Sequence, residues 1–136
     1  MGTVYTDITL RNVNDIALSQ SGHIKEEDIR EVTVNAVVDT GAETLCITED
    51  IFKKLGLGIE GQRNATVADG RRADCLVSAP VKIHWENRDS VVRAIVLSGS
   101  QEILLGAIPL EEMDLIVDPK NLKLIGAHGD TPVLRI

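Results

Sequence analysis

The chain has 136 residues and a formal net charge of −7, and apolar residues make up 43% of it. Because this length suits one domain with a real hydrophobic core, we expect residues 1–136 to form a single domain. The negative charge disfavours nucleic acid and anionic membranes as partners, because both would be repelled. With only one Trp, one Tyr and one Phe, the chain also lacks the aromatic platforms of single-strand nucleic-acid binders.

The sequence carries no signal for a membrane, a secretion route or a metal. No stretch approaches the roughly 18 apolar residues of a transmembrane helix. The N-terminal MGTVYTDITLRN lacks the basic and apolar regions of a signal peptide, so a cytoplasmic location is expected. Cys46 and Cys75 form no C-x-x-C pair and no zinc spacing with the histidines. We therefore expect two buried reduced thiols, no metal and no cofactor, with a disulfide or a metal site as the less favoured alternatives.

Alternating apolar residues predict the elements of the N-terminal half. The segments Val4 to Leu10 and Glu31 to Val38 both alternate and predict strands. Residues 12–30 between them are polar and predict a long connection with one helical turn in KEEDIR. After the sequence DTGA, the segment ETLCI predicts a further strand. Thr48 then predicts the N-cap of a short helix that ends near Gly56.

In the C-terminal half, the sequence predicts strands that are joined by turns. LGIEGQRN predicts a loop, and TVADGRRAD predicts a hairpin that turns at Asp69-Gly70. CLVSAPVKIHW predicts a strand in which Pro80 marks an edge or a bulge. VVRAIVL and QEILLGA predict two more strands, and Pro109 predicts the first position of a helix, PLEEM. LIVDPKNLKLI predicts a second hairpin. Together these patterns predict an all-β fold, mostly strands with one or two short helices.

The stretch VVDTGA, from Val37 to Ala42, places an acid directly after an apolar strand. Asp, Thr and Gly are ordinary turn formers, so an exposed loop is the simplest interpretation. An apolar strand precedes this turn, however, and an apolar stretch follows it, so we expect the turn to lie inside the fold. Polar groups at such depth are costly unless they are satisfied. This position indicates a functional carboxylate at Asp39.

VVDTGA resembles the active-site turn of the retroviral-type, or retropepsin-like, aspartic proteases. Their signature is two apolar residues, Asp, Thr or Ser, Gly, and Ala or Ser. Leu104-Leu105-Gly106, just before a short helix, resembles a second element of that family, and ADG lies where the family carries a flap hairpin. The order VDTGA, ADG, LLGAIPLE and DLIVDP is similar to a group of bacterial stand-alone members. The resemblance covers Val32 to Leu124.

The resemblance implies a closed acid-protease barrel with one lobe per chain and an endopeptidase that acts on peptide or protein substrates. The chain has one D-T-G, and the other Asp-Thr pair, Asp130-Thr131, is followed by a proline that cannot take the place of the glycine. The second carboxylate is therefore expected from a second copy in a homodimer. The implied catalytic residues are Asp39, Thr40 and Gly41, and the implied substrate contacts are Ala42, Ala68, Asp69 and Gly70.

Three features differ from the retroviral pattern, and two other functions stay open. The flap tip ADGRR is charged, Ala107 stands where many retroviral enzymes carry Arg or Asn, and a long insert precedes Glu31. One alternative is a dimeric peptide- or protein-binding module of the same fold with little or no turnover. Another is a monomeric β module that binds peptides at a strand edge. For the Asp69-Gly70 hairpin, a plain surface turn is the alternative to a flap.

Overall fold

The computed structural model describes residues 2–66 and 69–136, and in this part of the chain strands predominate. The helices are α1 (Val13–Gln20), α2 (Glu49–Lys54) and α3 (Ala107–Glu112), with a short 3₁₀ helix at Glu26–Asp28. The strands are β1 (Tyr5–Asn12), β2 (Glu31–Val38), β3 (Cys46–Thr48), β4 (Ile59–Thr66), β5 (Arg72–Trp85), β6 (Arg88–Leu97), β7 (Leu104–Leu105), β8 (Leu115–Asp118) and β9 (Lys123–Gly126). The prediction of a mostly-β fold is confirmed.

Seven of the strands in the described residues form one sheet that closes on itself. Their order is β1-β2-β7-β3-β6-β5-β4, and β1 also pairs with β5. The β1–β5 pairing closes a ring of six strands and leaves β4 outside it, at an edge. This closure is the barrel that the resemblance implied, with one lobe per chain. The remaining strands, β8 and β9, form a separate antiparallel hairpin.

Aliphatic side chains fill the inside of this barrel. Alternate residues of each strand point inward, as the two-residue period of a strand requires. Aromatic residues are nearly absent from the core, which matches the composition. The most deeply buried apolar side chains include Ile8, Leu10, Ala36, Leu45, Ile47, Leu55, Val81, Ile83, Ala94, Leu105 and Met113.

The segment between β1 and β2 is more regular than its polar sequence predicts. The helical turn expected in KEEDIR is present as the 3₁₀ helix Glu26–Asp28, but helix α1 was not predicted. Asn12 caps α1 by accepting a hydrogen bond from the Asp15 N–H (3.0 Å). The Asp15 carboxylate is buried and accepts three hydrogen bonds from Arg30. Long-range polar contacts rather than an apolar stripe therefore hold this insert.

Four further predictions are corrected or refined. The expected loop LGIEGQRN is wrong, because most of it lies in β4. The hairpin does not turn in two residues at Asp69-Gly70, because the register pairs Thr66 with Arg72. Helix α3 begins at Ala107 after the N-cap Gly106, so Pro109 is its third residue rather than its first. The register shift in β5 next to Pro80 confirms the expected irregularity there.

Other expectations for the C-terminal part are confirmed. LIVDPKNLKLI forms the β8–β9 hairpin, and β7 ends directly before Gly106. No helix among residues 2–66 and 69–136 is both long and apolar enough to cross a membrane.

Candidate active site

Asp39 lies at the end of β2, where the backbone is fixed on both sides. Its N–H donates to the Leu105 carbonyl (3.0 Å), and the preceding Val38 N–H donates to the Val4 carbonyl (2.8 Å). The Val37 N–H donates to Ile103 in the same way (2.8 Å). The Asp39 side chain is half-buried. The apolar strand thus delivers one carboxylate to a rigid position, as the sequence indicated.

The turn after Asp39 is held by the aspartate itself. The Ala42 N–H donates to the Asp39 carbonyl (3.1 Å), which closes a four-residue turn. The Gly41 N–H donates to Asp39 Oδ1 (2.9 Å). A Cβ at Gly41 would lie only 3.2 Å from that oxygen, so a side chain there would press on the carboxylate. This contact fixes the carboxylate orientation.

Glycine is favoured at position 41 because the backbone there lies close to the Asp39 carboxylate, and not because it adopts a left-handed φ. The described glycines with a left-handed φ are Gly22, Gly56, Gly70, Gly99 and Gly129. Gly41 is not among them, so the short distance to the Asp39 carboxylate is what favours glycine at this position.

Strand β7 passes between the two strands that flank the DTGA turn. Leu105 pairs with Val38 in β2, and Leu104 pairs with Cys46 in β3. The chain then meets the turn itself, since the Ala107 N–H donates to the Ala42 carbonyl (2.8 Å). The next residue continues this pattern, with the Ile108 N–H donating to Glu43 (2.8 Å). Backbone hydrogen bonds from Leu105 and from the residues just after Gly106 thus hold the acid-bearing turn in place.

Gly106 sits where no side chain fits. A Cβ built on it would collide with the Thr44 carbonyl and would lie 2.6 Å from the Ala42 carbonyl and 2.7 Å from the Thr44 nitrogen. All three atoms belong to the backbone, so no side chain can move aside. The sequence suggested a glycine here only through the family pattern, and the structure supplies the physical reason.

Of the remaining implied site residues, Thr40 is exposed and Ala42 is half-buried. Ala68 lies outside the described residues. Asp69 accepts hydrogen bonds from the Arg71 N–H (3.0 Å) and from Arg71 Nε (2.6 Å), so its carboxylate is engaged within its own turn. Gly70 has φ +87°, which suits a glycine in a turn. The structure therefore groups Asp39, Thr40, Gly41 and Ala42, and it places Asp69 and Gly70 on the β4–β5 hairpin.

A groove of about 430 Å³ runs beside the DTGA turn, and sequence reasoning did not find it. Glu43 and Thr44, which directly follow the turn, line one side, and β4 lines another. Glu60 and Arg93 form an ion pair in its wall (2.9 Å). Asp39 is not among the lining residues. No short motif marks this groove, because its walls come from strands that are distant in sequence.

Cys46 lies close to Asp39 but is not poised as a nucleophile or as half of a disulfide. Burial, together with the nearby Cys75 and Asp39, raises the pKa of the Cys46 thiol to about 11, so it stays protonated at neutral pH. Strand β6 separates β3 from β5. Two strand spacings hold the two cysteine Cα atoms about 10 Å apart, beyond the roughly 7 Å limit for a disulfide. Both cysteines are free thiols.

No group of three His, Cys, Asp or Glu side chains that could hold a metal ion occurs among the described residues. The arrangement at the turn is thus one half-buried carboxylate on a rigid support. Such a group can exchange a proton with a bound water or hydrogen-bond to a polar substrate.

Comparisons with known proteins identify the family of this chain. The mostly-β fold, with a single lobe per chain, is retropepsin-like. A family model described as "gag-polyprotein putative aspartyl protease" matches residues 26–112, well over half of the chain. The chain therefore belongs to this family.

Among solved structures, the chain is similar to a crystal structure of a retropepsin-like aspartic protease from Rickettsia conorii. The identity is 19%, the match covers 87% of this chain and 89% of that chain, and the TM-score is 0.44. A comparison with curated proteins gives no match.

Proposed function

We propose that the protein is an aspartic endopeptidase that works as a homodimer, with one Asp39 carboxylate from each copy. The observation that carries this proposal is the Asp39 turn, in which a carboxylate is oriented by Gly41 and supported by Leu105. Membership of an aspartyl protease family supports the same conclusion. The substrate is a peptide or protein, and the proposed location is the cytoplasm.

The proposed chemistry needs two carboxylates around one water. Two such groups held about 3 Å apart share one proton, because both cannot be ionised at that distance. The ionised carboxylate takes a proton from the water, whose oxygen attacks the peptide carbonyl carbon. The protonated carboxyl hydrogen-bonds to the carbonyl oxygen and stabilises the charge that develops there. A proton then passes to the amide nitrogen, the C–N bond breaks, and an acid and an amine are released.

The hydrogen bonding of the two Asp39 carboxylate oxygens supports this assignment. The Gly41 N–H donates to Asp39 Oδ1, so the carboxylate keeps one orientation. Its other oxygen, Oδ2, receives no hydrogen bond from the described residues. We assign Oδ2 to the water and the substrate. The exposed Thr40 is assigned a hydrogen bond across the two turns of the dimer, which fixes their spacing.

Digestion of a peptide library by the native protein and by Asp39→Asn tests the chemistry. Asparagine keeps the acceptor for the Gly41 N–H but removes the acid, so we expect cleavage to fall by roughly 10³-fold or more. Asp130→Asn is the matched control and is expected to leave cleavage unchanged. Cleavage that survives Asp39→Asn contradicts the assignment. If the native protein cleaves no peptide, the binding module of the same fold becomes the better description.

A further inference from the structure

The clearest feature that the proposed chemistry does not use is a double irregularity in the sheet beside the groove. The pairing of β4 with β5 shifts at Glu60, which is the extra residue of a bulge. The pairing of β5 with β6 shifts beside it, between Val77 and Pro80. We call residues 59–61 and 77–80 the hinge. Because a bulge bends its strand, the hinge marks the place where the β4–β5 hairpin leaves the barrel.

A buried serine side chain completes the hydrogen bonding of the hinge. Ser78 is fully buried, and its hydroxyl accepts the Ala94 N–H from β6 (3.0 Å) and donates to the Ala79 carbonyl (2.8 Å). The Ala79 N–H in turn donates to the Gly58 carbonyl (2.8 Å). The hydroxyl thus takes the place of a backbone partner where regular pairing is interrupted. These buried polar groups are therefore satisfied although the strand is bent.

One ion pair spans the hinge. Glu60 lies in β4 and Arg93 in β6, two strands that β5 separates in the described sheet. Glu60 Oε1 and Arg93 Nε are 2.9 Å apart, so the two side chains reach each other across β5. Both residues line the groove of about 430 Å³ beside the DTGA turn. The pair therefore links the bulge of β4 directly to β6.

The position of the hairpin determines the width of the groove. Gly61, Gln62 and Arg63, which lie in β4 just beyond the bulge, line one side of the groove. Glu43 and Thr44, which directly follow the DTGA turn, line another side. The first group moves with the hairpin, whereas the second is attached to the acid-bearing turn. A change of angle at the hinge therefore widens or narrows the groove next to that turn.

We propose that Glu60 and Arg93 are positioning residues, whose ion pair holds the β4–β5 hairpin at one angle to the barrel and so sets the width of the groove. This inference rests on the proposed function, because it assigns to the groove the part of a peptide substrate next to the bond that is cleaved at Asp39. Neither residue of the pair touches the reacting atoms, and both act through the hairpin. The simpler alternative is that the pair only adds stability to the sheet as a whole.

Charge reversal separates these two roles. Glu60→Arg places two arginine side chains together, so the ion pair is replaced by repulsion. Glu60→Arg combined with Arg93→Glu restores an ion pair in the opposite sense, and we call this double variant the reversed pair. Asp50→Arg is the matched control, because it makes the same change of charge in the exposed ion pair with Lys54 on α2.

Native-state amide hydrogen exchange measures the opening of the hinge without any substrate. The Ile95 N–H donates to the Leu45 carbonyl, away from β5. By the alternation of an antiparallel ladder, the next residue, Val96, therefore hydrogen-bonds with its partner Leu76 in β5. The amides of Val96 and Leu76 lie on the hairpin side of the hinge, whereas the Val92 amide lies on its barrel side.

We expect the Leu76 and Val96 amides to exchange about threefold faster in Glu60→Arg, because both side chains of the pair are more than a third exposed and the effect is that of a surface ion pair. Exchange at Val92 is expected to stay unchanged. The reversed pair and Asp50→Arg are expected to exchange like the native protein. An equal increase at Val92 would show that the pair stabilises the whole sheet, and it overturns the inference.

Peptide cleavage then tests whether the hinge serves the reaction. We expect Glu60→Arg to raise KM about threefold with kcat nearly unchanged, since the Asp39 turn is untouched, and the reversed pair to restore the native KM. Unchanged exchange at Leu76 and Val96 in Glu60→Arg overturns the inference, and so does a KM that does not follow the exchange rates. If the native protein cleaves no peptide, the proposed function fails, and the exchange rates alone decide whether the ion pair positions the hairpin.

Discussion

Gly106 is the residue whose identity follows most directly from local geometry. Its backbone passes against the carbonyls of Ala42 and Thr44, directly behind the acid-bearing turn. Asp39 depends on the same contact, since its N–H is held by Leu105, the residue before Gly106. The glycine and the aspartate are distant in sequence, but they form one structural unit. A disturbance at Gly106 is therefore transmitted to the carboxylate.

We predict that Gly106→Ala destabilises the protein by about 3 kcal/mol, because the added methyl group meets only backbone atoms that cannot move aside. Gly58→Ala is the matched control, as a Cβ at Gly58 meets nothing within 4 Å. Its effect is expected to stay within about 0.5 kcal/mol. Urea unfolding of the native protein, Gly106→Ala and Gly58→Ala measures both changes in the free energy of unfolding. Equal stabilities for the two variants would show that the close approach at Gly106 is not rigid.

The insert between β1 and β2 has a polar sequence and is held by hydrogen bonds to a buried carboxylate. Asp15 is buried, and Arg30 reaches it with Nε (2.8 Å), Nη2 (2.9 Å) and its backbone N–H (3.0 Å). The same arginine lies against Gly56, and the Asn12 side chain donates to the Leu55 carbonyl (2.8 Å). The insert thereby covers the C-terminal end of α2. Its role is to support that helix from outside the barrel.

We predict that Asp15→Asn lowers the free energy of unfolding by about 2 kcal/mol at pH 7, less than for a fully buried pair because Arg30 is half exposed. Hydrogen bonds from Arg30 lower the pKa of Asp15 below its usual 3.8, although burial opposes them. A pKa that is lower in the folded protein stabilises the fold at pH values above the pKa of the unfolded chain. This stabilisation is lost as the pH falls through the pKa of the folded protein. The difference between the two proteins is therefore expected to shrink below about pH 3.8.

Urea unfolding between pH 7 and pH 3 provides that measurement. Asp50→Asn is the control, because the ion pair of Asp50 with Lys54 is exposed on α2 and contributes at most about 0.5 kcal/mol. A stability difference for Asp15→Asn that persists unchanged at acidic pH contradicts a role for its charge.

The elements that the sequence predicts well are those whose signal is local. Alternation located β1 and β2, and the Thr48 hydroxyl accepts the Ile51 N–H as a cap should (3.3 Å). Helix α1 could not be predicted in this way, because distant Arg30 stabilises it. Strand β4 was missed because it is a polar edge strand whose start contains Gly61. The carboxylate was found from sequence, whereas the groove beside it arises only from tertiary structure.

At the scale of the whole molecule, one chain supplies half of the proposed site. The barrel closes through the β1–β5 pairing and needs no partner for that closure. It presents a single Asp39 turn. A monomer can therefore fold, but under the proposed mechanism it cannot place two carboxylates around a water. Activity is expected to depend on the concentration of dimers rather than of chains.

Mixing native protein with Asp39→Asn subunits tests this shared site most directly. At equal amounts, with exchange allowed and concentrations well above the dissociation constant, random pairing leaves about a quarter of the dimers fully native. Because mixed dimers carry only one acid, we expect the cleavage rate to fall to roughly half that of the same amount of native protein alone. An equal amount of Asp130→Asn subunits is the control, and it is expected to double the rate, because these subunits keep Asp39. A native rate that Asp39→Asn subunits do not reduce would contradict a site shared between two copies.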